Sequence, residues 1–230
     1  MKVLAFNSSP RKDGATNELM SLFLSSAEEA GAEVESHFII DLDIKGCTGC
    51  FSCWWRTPGK CVHRDDMDWI LPKMVEADAI VFGTPVYIYN INHHLQRLRE
   101  RTLPLAQPDM EIREGGTQHP SRFNRQTPQR RVIIAVSGFP DQSNFNQIHG
   151  LFPDATKIFL PSSAILYSPE GRQLVSGFLD AVKKAGRELA VNVDISPETR
   201  GHLIVDFPPD VKHQLVEIHN ERSNRITPQP

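Results

Sequence analysis

The stretch KVLAFNSSPRKDGATNELMSLFLSSAEEAG, residues 2–31, decides how the chain is read. Lys2 to Phe6 is a short, unbroken apolar run, as expected of a parallel strand covered on both faces. Leu19, Met20, Phe23, Leu24 and Ala27 then recur at helical spacing, and Gly31 is a stop signal just past them. From Ala32 to Ile39 the pattern alternates instead. Val34 and Phe38 are separated by Glu35 and Ser36, which fits a half-exposed edge strand. Strand, helix, strand in this order make a βαβ unit.

The same alternation runs through the rest of the chain. Ala79 to Gly83 and Arg131 to Val136 read as further buried strands, and Lys157 to Leu160 as a fifth. A helix is expected after Asp65 or Asp66, where a carboxylate can cap it, with Pro72 kinking or shortening it. Another follows Asn92. Ser168-Pro169 offers an N-cap and a first-turn proline, and Leu174, Phe178, Leu179, Val182 and Leu189 then share one face of a long helix. This predicts an α/β domain over residues 1–195 with a doubly wound parallel sheet, whose ligands sit beyond the carboxyl ends of the strands. Residues 196–230 read as an appended segment, with a helix from Asp210 to about Arg222 and a polar tail that extends onto a partner subunit.

Composition narrows the function. The 25 basic and 28 acidic residues give a net charge of −3 and a pI near 6.3, so no basic face argues for nucleic acid or an anionic membrane. The apolar run at the N-terminus is too short for a secretory core or a membrane span, which leads us to expect a cytoplasmic protein and to read the Asn7-Ser8-Ser9 sequon as accidental. In that compartment thiols stay reduced. All four cysteines lie in CTGCFSCWWRTPGKC, residues 47–61, and such clustering points to metal or redox chemistry before disulfides.

Three loops lie where a ligand is expected. NSSPRKDGATNE, residues 7–18, brings the hydroxyls of Ser8, Ser9 and Thr16 and the turn at Gly14 to the start of a helix. Free amides and the helix dipole there suit a phosphate, and Arg11 can add a bidentate contact. Neither GK[ST] nor GxGxxG is present, so a mononucleotide phosphate is favoured; the plain alternative is a solvated turn capped by Thr16. In GTPVYIYNIN, residues 83–92, Pro85 stiffens a turn carrying Tyr87 and Tyr89, against which a flat ring can lean. In VSGFPDQSNF, residues 136–145, Ser137 and Gly138 allow close approach to a ring edge, or form an ordinary turn.

SSPRKDGAT after the first strand, C-x2-C-x2-C-x7-C followed by DDM, and FGTPVY together resemble the NAD(P)H-dependent FMN reductase and iron-sulfur flavoprotein group of the flavodoxin-like superfamily. The resemblance covers residues 1–105 and resumes at RVIIAVSGFP and the last long helix. It implies a flavodoxin-like, three-layer, five-stranded parallel sheet in the order 2-1-3-4-5, noncovalent FMN, and a homodimer or homotetramer. Carried over by position, Ser9, Arg11, Thr16 and Asn17 surround the phosphate, with Ser8 where relatives usually have glycine; a side chain there changes how closely the loop wraps the phosphate. Pro85, Val86, Tyr87, Ile88, Tyr89 and Asn90, with Ser137, Gly138 and Phe139, border the isoalloxazine. The resemblance also makes Cys47, Cys50, Cys53 and Cys61 ligands of a 4Fe-4S cluster. The residues themselves leave unligated thiols and a four-thiolate zinc site open as well.

The function expected is a flavoprotein oxidoreductase. It passes electrons from NAD(P)H through FMN to an acceptor, with no catalytic side chain. With a cluster the acceptor is ferredoxin-like; without one, a quinone or another small molecule. Two alternatives are an FMN-binding electron carrier without efficient NAD(P)H oxidation, and a zinc-stabilised non-enzymatic module. Trp54 and Trp55 either cover a cluster or a neighbouring flavin, or pack the loop. The long connection 104–130 offers Arg122 or Arg125 to the 2′-phosphate of NADPH, or serves as a solvated or subunit-contacting loop.

Overall fold

The computed structural model describes residues 1–113, 116–124, 129–192 and 194–226. The chain runs β1 (Lys2–Asn7), α1 (Ala15–Glu29), β2 (Glu33–Phe38), α2 (Ser52–Trp55), α3 (Met67–Glu76), β3 (Ala79–Tyr87), β4 (Asn90–Ile91) and α4 (His93–Glu100). It continues with β5 (Glu111–Arg113), β6 (Gly116–Gln118), β7 (Arg130–Val136), α5 (Asn146–Leu151), β8 (Thr156–Leu160), α6 (Pro169–Leu174), α7 (Ser176–Val191), α8 (Pro197–Arg200) and α9 (Pro209–Ile226). The central sheet has the order β2-β1-β3-β7-β8, every pairing parallel. This is the flavodoxin-like order expected from the sequence. β4 folds back on β3, and β5 and β6 form a hairpin inside the long connection.

Alternate strand residues serve two cores. Val3, Ala5, Val81, Val132 and Ile134 pack with Leu19, Phe23, Val182 and Leu189 of α1 and α7. Leu4, Phe6, Ile80, Phe82 and Ile133 pack on the other face with Ile70, Leu95, Leu98 and Ile148 of α3, α4 and α5. Covering both faces is what makes these strands read as continuous apolar runs, whereas β2 pairs only with β1 and keeps Val34 and Phe38 half-buried. Burying a side chain such as Phe23 contributes about 1.5–3 kcal/mol.

Three features differ from the sequence reading. The helix expected to run unbroken from Ser168 divides at Val175 into α6 and α7, and Leu174 is left exposed. Gly171 explains the packing of the first piece, since a Cβ there would lie 2.2 Å from the Ile165 carbonyl oxygen. Pro85 lies within β3, with the turn at Ile88 and Tyr89; it is tolerated there because β1 has ended at Asn7, opposite Gly83. The helix expected from Asp210 begins at Pro209 and runs to Ile226. Before it, Leu203 and Phe207 are buried in the α1–α7 core, and a parallel bridge joins Ile204 to Phe159 of β8. Among the described residues no helix is long and apolar enough to cross a membrane.

Candidate functional site

At the carboxyl end of β1 the loop is held by its own polar side chains. Asn7 is buried; its Oδ1 accepts from Ser9 N (2.9 Å) and its Nδ2 donates to Asn17 Oδ1 (3.1 Å). Ser9 Oγ accepts from Arg11 N (3.2 Å) and donates to Arg11 O (3.0 Å), closing a tight turn. Ser8 is committed elsewhere. Its amide and its hydroxyl both donate to the Gly83 carbonyl at 2.8 Å, so its side chain ties β1 to β3 rather than lining the loop. Asn92 supports the same junction, donating to Ser8 O (2.6 Å) and accepting from Leu95 N (3.2 Å) as the N-cap of α4.

The loop leaves donors unused. Gly14 caps α1 without a side chain, and the amides of Lys12, Asp13 and Thr16 have no acceptor among the described residues. Thr16 is buried, and its hydroxyl has no partner among the described residues. Arg11 is exposed, makes no ion pair among the described residues, and folds back so that a Cβ built on Gly14 would sit 3.7 Å from its Nε. Unpaired amides, a hydroxyl and a guanidinium at one helix N-terminus fit a dianionic phosphate. Tyr167 joins them from the loop after β8, its hydroxyl accepting from Ala15 N at 3.2 Å. Donor and acceptor are 152 positions apart in the chain, so no local pattern announced it.

Beside this loop lies an apolar rim. Ile88 and Tyr89 both have positive φ, 48° and 60°, so the β3–β4 hairpin turns on two left-handed residues and presents Tyr87, Ile88 and Tyr89 to solvent. Such turns are ordinarily built from Asn and Gly, and a β-branched residue there is strained. Asn90 Oδ1 accepts from Ile91 N (2.8 Å), and half-buried Val86 packs below the turn. Phe139 stands opposite, its ring 6.2 Å from that of Tyr89. Ser137 is buried and donates to Phe139 O (3.0 Å), while Gly138 beside it faces open space. Ser162 N and Ser163 N bind Phe139 O and Ser137 O at 2.9 Å, fixing this loop to the one after β8.

The cysteine loop forms a second locus. Cys47, Cys50, Cys53 and Cys61 are all free thiols and line one cavity of ≈ 20 Å³ with His63, Arg101 and Leu103. No group of three metal-ligating side chains among the described residues closes on a single ion. Burial, then the neighbouring Cys61, pushes the Cys53 thiol up, whereas hydrogen bonds from the backbone and side chain of Ser52 and from Thr48 pull Cys50 down. Trp54 packs the loop, donating to Leu103 O (3.1 Å) with its ring 4.7 Å from that of His119; Trp55 is exposed. Arg122 donates to the carbonyls of Pro104 and Ala106, each at 3.1 Å, so its guanidinium pins the long connection; Arg125 lies outside the described residues.

Asp65 does more than cap α3. It accepts from Met67 N (3.1 Å) and pairs with Arg101, with Nη–O distances of 2.6 and 3.0 Å, both side chains fully buried. Burial opposes the charge of Asp65, but Arg101 and the amides of Lys45 and Met67 outweigh it and hold the carboxyl below its usual range.

The chain therefore combines a flavodoxin-like fold with donors at the start of α1 that have no acceptor among the described residues. Residues 1–102 match the family model described as NADPH-dependent FMN reductase. An iron-sulfur flavoprotein of Methanocaldococcus jannaschii is 40% identical over 105 residues, 46% of this chain and 53% of that one. Another, of Archaeoglobus fulgidus, is 35% identical over 118 residues, 51% of this chain and 53% of the relative. The chain thus spans about half the length of the curated relatives it matches. Among solved structures, an FMN-dependent NADH-azoreductase from Bacillus anthracis in complex with FMN superposes with a TM-score of 0.60 at 19% identity, covering 82% of this chain and 99% of that one. An NAD(P)H:quinone oxidoreductase from Methanothermobacter marburgensis gives 0.58 at 14%, covering 82% and 96%. The resemblance to the FMN reductase and iron-sulfur flavoprotein group holds, with the family model matched over residues 1–102.

Proposed function

We propose that this protein is a flavoprotein oxidoreductase of the NAD(P)H-dependent FMN reductase type, active in the cytoplasm as a homo-oligomer. The observation that carries the reading is the set of unused donors at the start of α1 beside an exposed aromatic rim on the same sheet edge. FMN supplies the chemistry when bound, accepting two electrons as hydride and releasing them singly or in pairs. The amides of Lys12, Asp13 and Thr16, the Thr16 hydroxyl and Arg11 hold the phosphate. Asn7 keeps Asn17 oriented toward the same group. Tyr87, Tyr89 and Phe139 border the ring and exclude water along its edge, while the amide of Gly138 approaches it without a side chain in the way. A nicotinamide or an acceptor uses the open side, and a second copy of the chain covers the apolar rim around Ile88.

The cysteines extend this reading to a 4Fe-4S cluster. Four thiolates around one zinc would stand about 3.8 Å apart, given Zn–S bonds of about 2.3 Å. A cube of four irons spreads them further. Four thiols lining one cavity supply the ligand number that either group needs, and the relatives named iron-sulfur flavoproteins favour the larger one. The cavity has room for about one water, but Cys47 and Cys50 are exposed, so widening it displaces no packed core. Electrons would then leave one at a time to a ferredoxin-like carrier.

An anaerobic visible spectrum with iron, sulfide and zinc measured on the same sample tests both parts, followed by stopped-flow mixing with NADPH and with NADH. The expected outcome is bound flavin bleached by reduced nicotinamide, with iron and sulfide in equal amounts. A folded chain that ignores FMN in calorimetry overturns the proposal, and zinc in place of iron overturns the cluster.

A further inference from the structure

Among the described residues, two buried nitrogens around the cysteine cavity lack a partner. The Asp65 carboxylate takes Nη1 and Nη2 of Arg101, and the Lys45 carbonyl accepts a further bond from Nη1 at 2.7 Å. The Nε edge is left over, buried and without an acceptor, on a side chain that lines the cavity and is 1% exposed. His63 lines the same cavity, and its Nε2 is likewise buried and unpartnered. Buried donors are nearly always satisfied, so two orphans around one cavity point to an acceptor that belongs there. Thiolate and sulfide sulfurs are such acceptors, and this cavity is where the four thiols gather.

We propose that Arg101, clamped by Asp65, donates from Nε to a sulfur of the cluster held by Cys47, Cys50, Cys53 and Cys61, with His63 Nε2 as a second donor, and thereby raises the cluster's reduction potential. This rests on the cluster reading above. Asp65 is a positioning residue: its two oxygens fix the guanidinium plane, and its remaining lone pairs are occupied by the amides of Lys45 (3.0 Å) and Met67 (3.1 Å). A cluster in four thiolates is anionic and becomes more so on reduction, so a fixed N–H donor stabilises the reduced state more than the oxidised one.

The test uses the full chain, reconstituted anaerobically with iron and sulfide. Arg101→Lys keeps a charge for Asp65 but lacks the planar fork that directs an Nε–H at the sulfur. At a fixed potential its reduced-to-oxidised ratio, read by EPR, is expected to fall at least tenfold, equivalent to about 59 mV for a one-electron couple. Should this variant fail to fold, the protein with intact Arg101 still decides. With guanidino-15N arginine incorporated in an Arg64→Lys background, pulsed EPR of the reduced cluster is expected to show a nitrogen coupling; Arg64 is removed because its Nη1 lies 3.3 Å from the Cys61 carbonyl. A loaded cluster with no such coupling, or a loaded Arg101→Lys protein with an unchanged midpoint, overturns the inference and leaves the cluster standing. A wild-type chain that takes up no iron and sulfide overturns both.

Discussion

Arg11, in the loop after β1, and Ile88, in the β3–β4 turn, test the proposed FMN site for opposite reasons. The Arg11 side chain has no polar partner among the described residues, so its removal leaves no described partner unsatisfied and reads out ligand binding. A charge-assisted contact to phosphate contributes about 1.5–3 kcal/mol. Arg11→Met is therefore expected to weaken FMN binding at least tenfold in calorimetry, with the thermal midpoint of the apoprotein unchanged. Ile88 is 91% exposed at φ 48°, so it buries little and keeps a conformation that β-branched side chains avoid. Asparagine adopts this region more readily, and Ile88→Asn should stabilise the apoprotein by about 1 kcal/mol. In a domain of this size that raises the calorimetric midpoint by about 2–4 °C. If the strain aims Tyr89 at the flavin, FMN affinity falls in the same variant; an unchanged midpoint would show that the turn is relaxed.

Between elements, close approach matters more than propensity. Gly186 of α7 lies against α1 so tightly that a Cβ would stand 2.1 Å from the Phe23 carbonyl oxygen. Gly186→Ala gains helix propensity yet should lose about 1–3 kcal/mol in urea denaturation, because the two helices must separate. Glu188, two residues further on, holds the start of the C-terminal segment. It accepts from Ser196 N (2.9 Å), Ser196 Oγ (3.1 Å) and Thr199 Oγ1 (2.9 Å). Burial pushes its carboxyl up, but these donors and Lys184 together outweigh that and leave it below its usual range. A depressed folded pKa means its contribution is full above the unfolded glutamate value, about 4.3, and is lost as pH falls through the folded one. Glu188→Gln is expected to cost about 1–2 kcal/mol at pH 7, and the gap to wild type should close as the denaturation is repeated at successively lower pH. The same elements show what the sequence could reveal. β1, β3, β7 and α1 were legible because burial on both faces, or on one stripe, leaves a local pattern. The break at Val175, the Tyr167 hydroxyl at α1 and the Arg101–Asp65 pair were not, because each depends on a residue brought close only by the fold. Of the candidate site, the loops were readable and their internal use was not: Ser8 had the expected residue type but is committed to Gly83.

Across the whole molecule, α4 separates the two candidate centres. Its first turn, capped by Asn92, adjoins the flavin rim, while Glu100, Arg101 and Leu103 at its other end line the cysteine cavity. An eight-residue helix spans about 12 Å, and none of the residues lining the cysteine cavity belongs to the loops proposed to hold FMN. Sites that share no side chain respond independently to substitution. Cys61→Ser, in a half-buried position that tolerates the smaller oxygen, should abolish iron uptake while leaving FMN affinity and the rate of flavin bleaching by NADPH within about twofold of wild type. Reduction of a ferredoxin-like one-electron carrier should drop at least tenfold in the same preparation, because the electrons reach the rim and lack the exit. Transfer to a quinone, which uses the open side of the rim, should persist. A variant that loses flavin and iron together would show that α4 couples the two ends and that the cysteine loop supports the flavin site structurally.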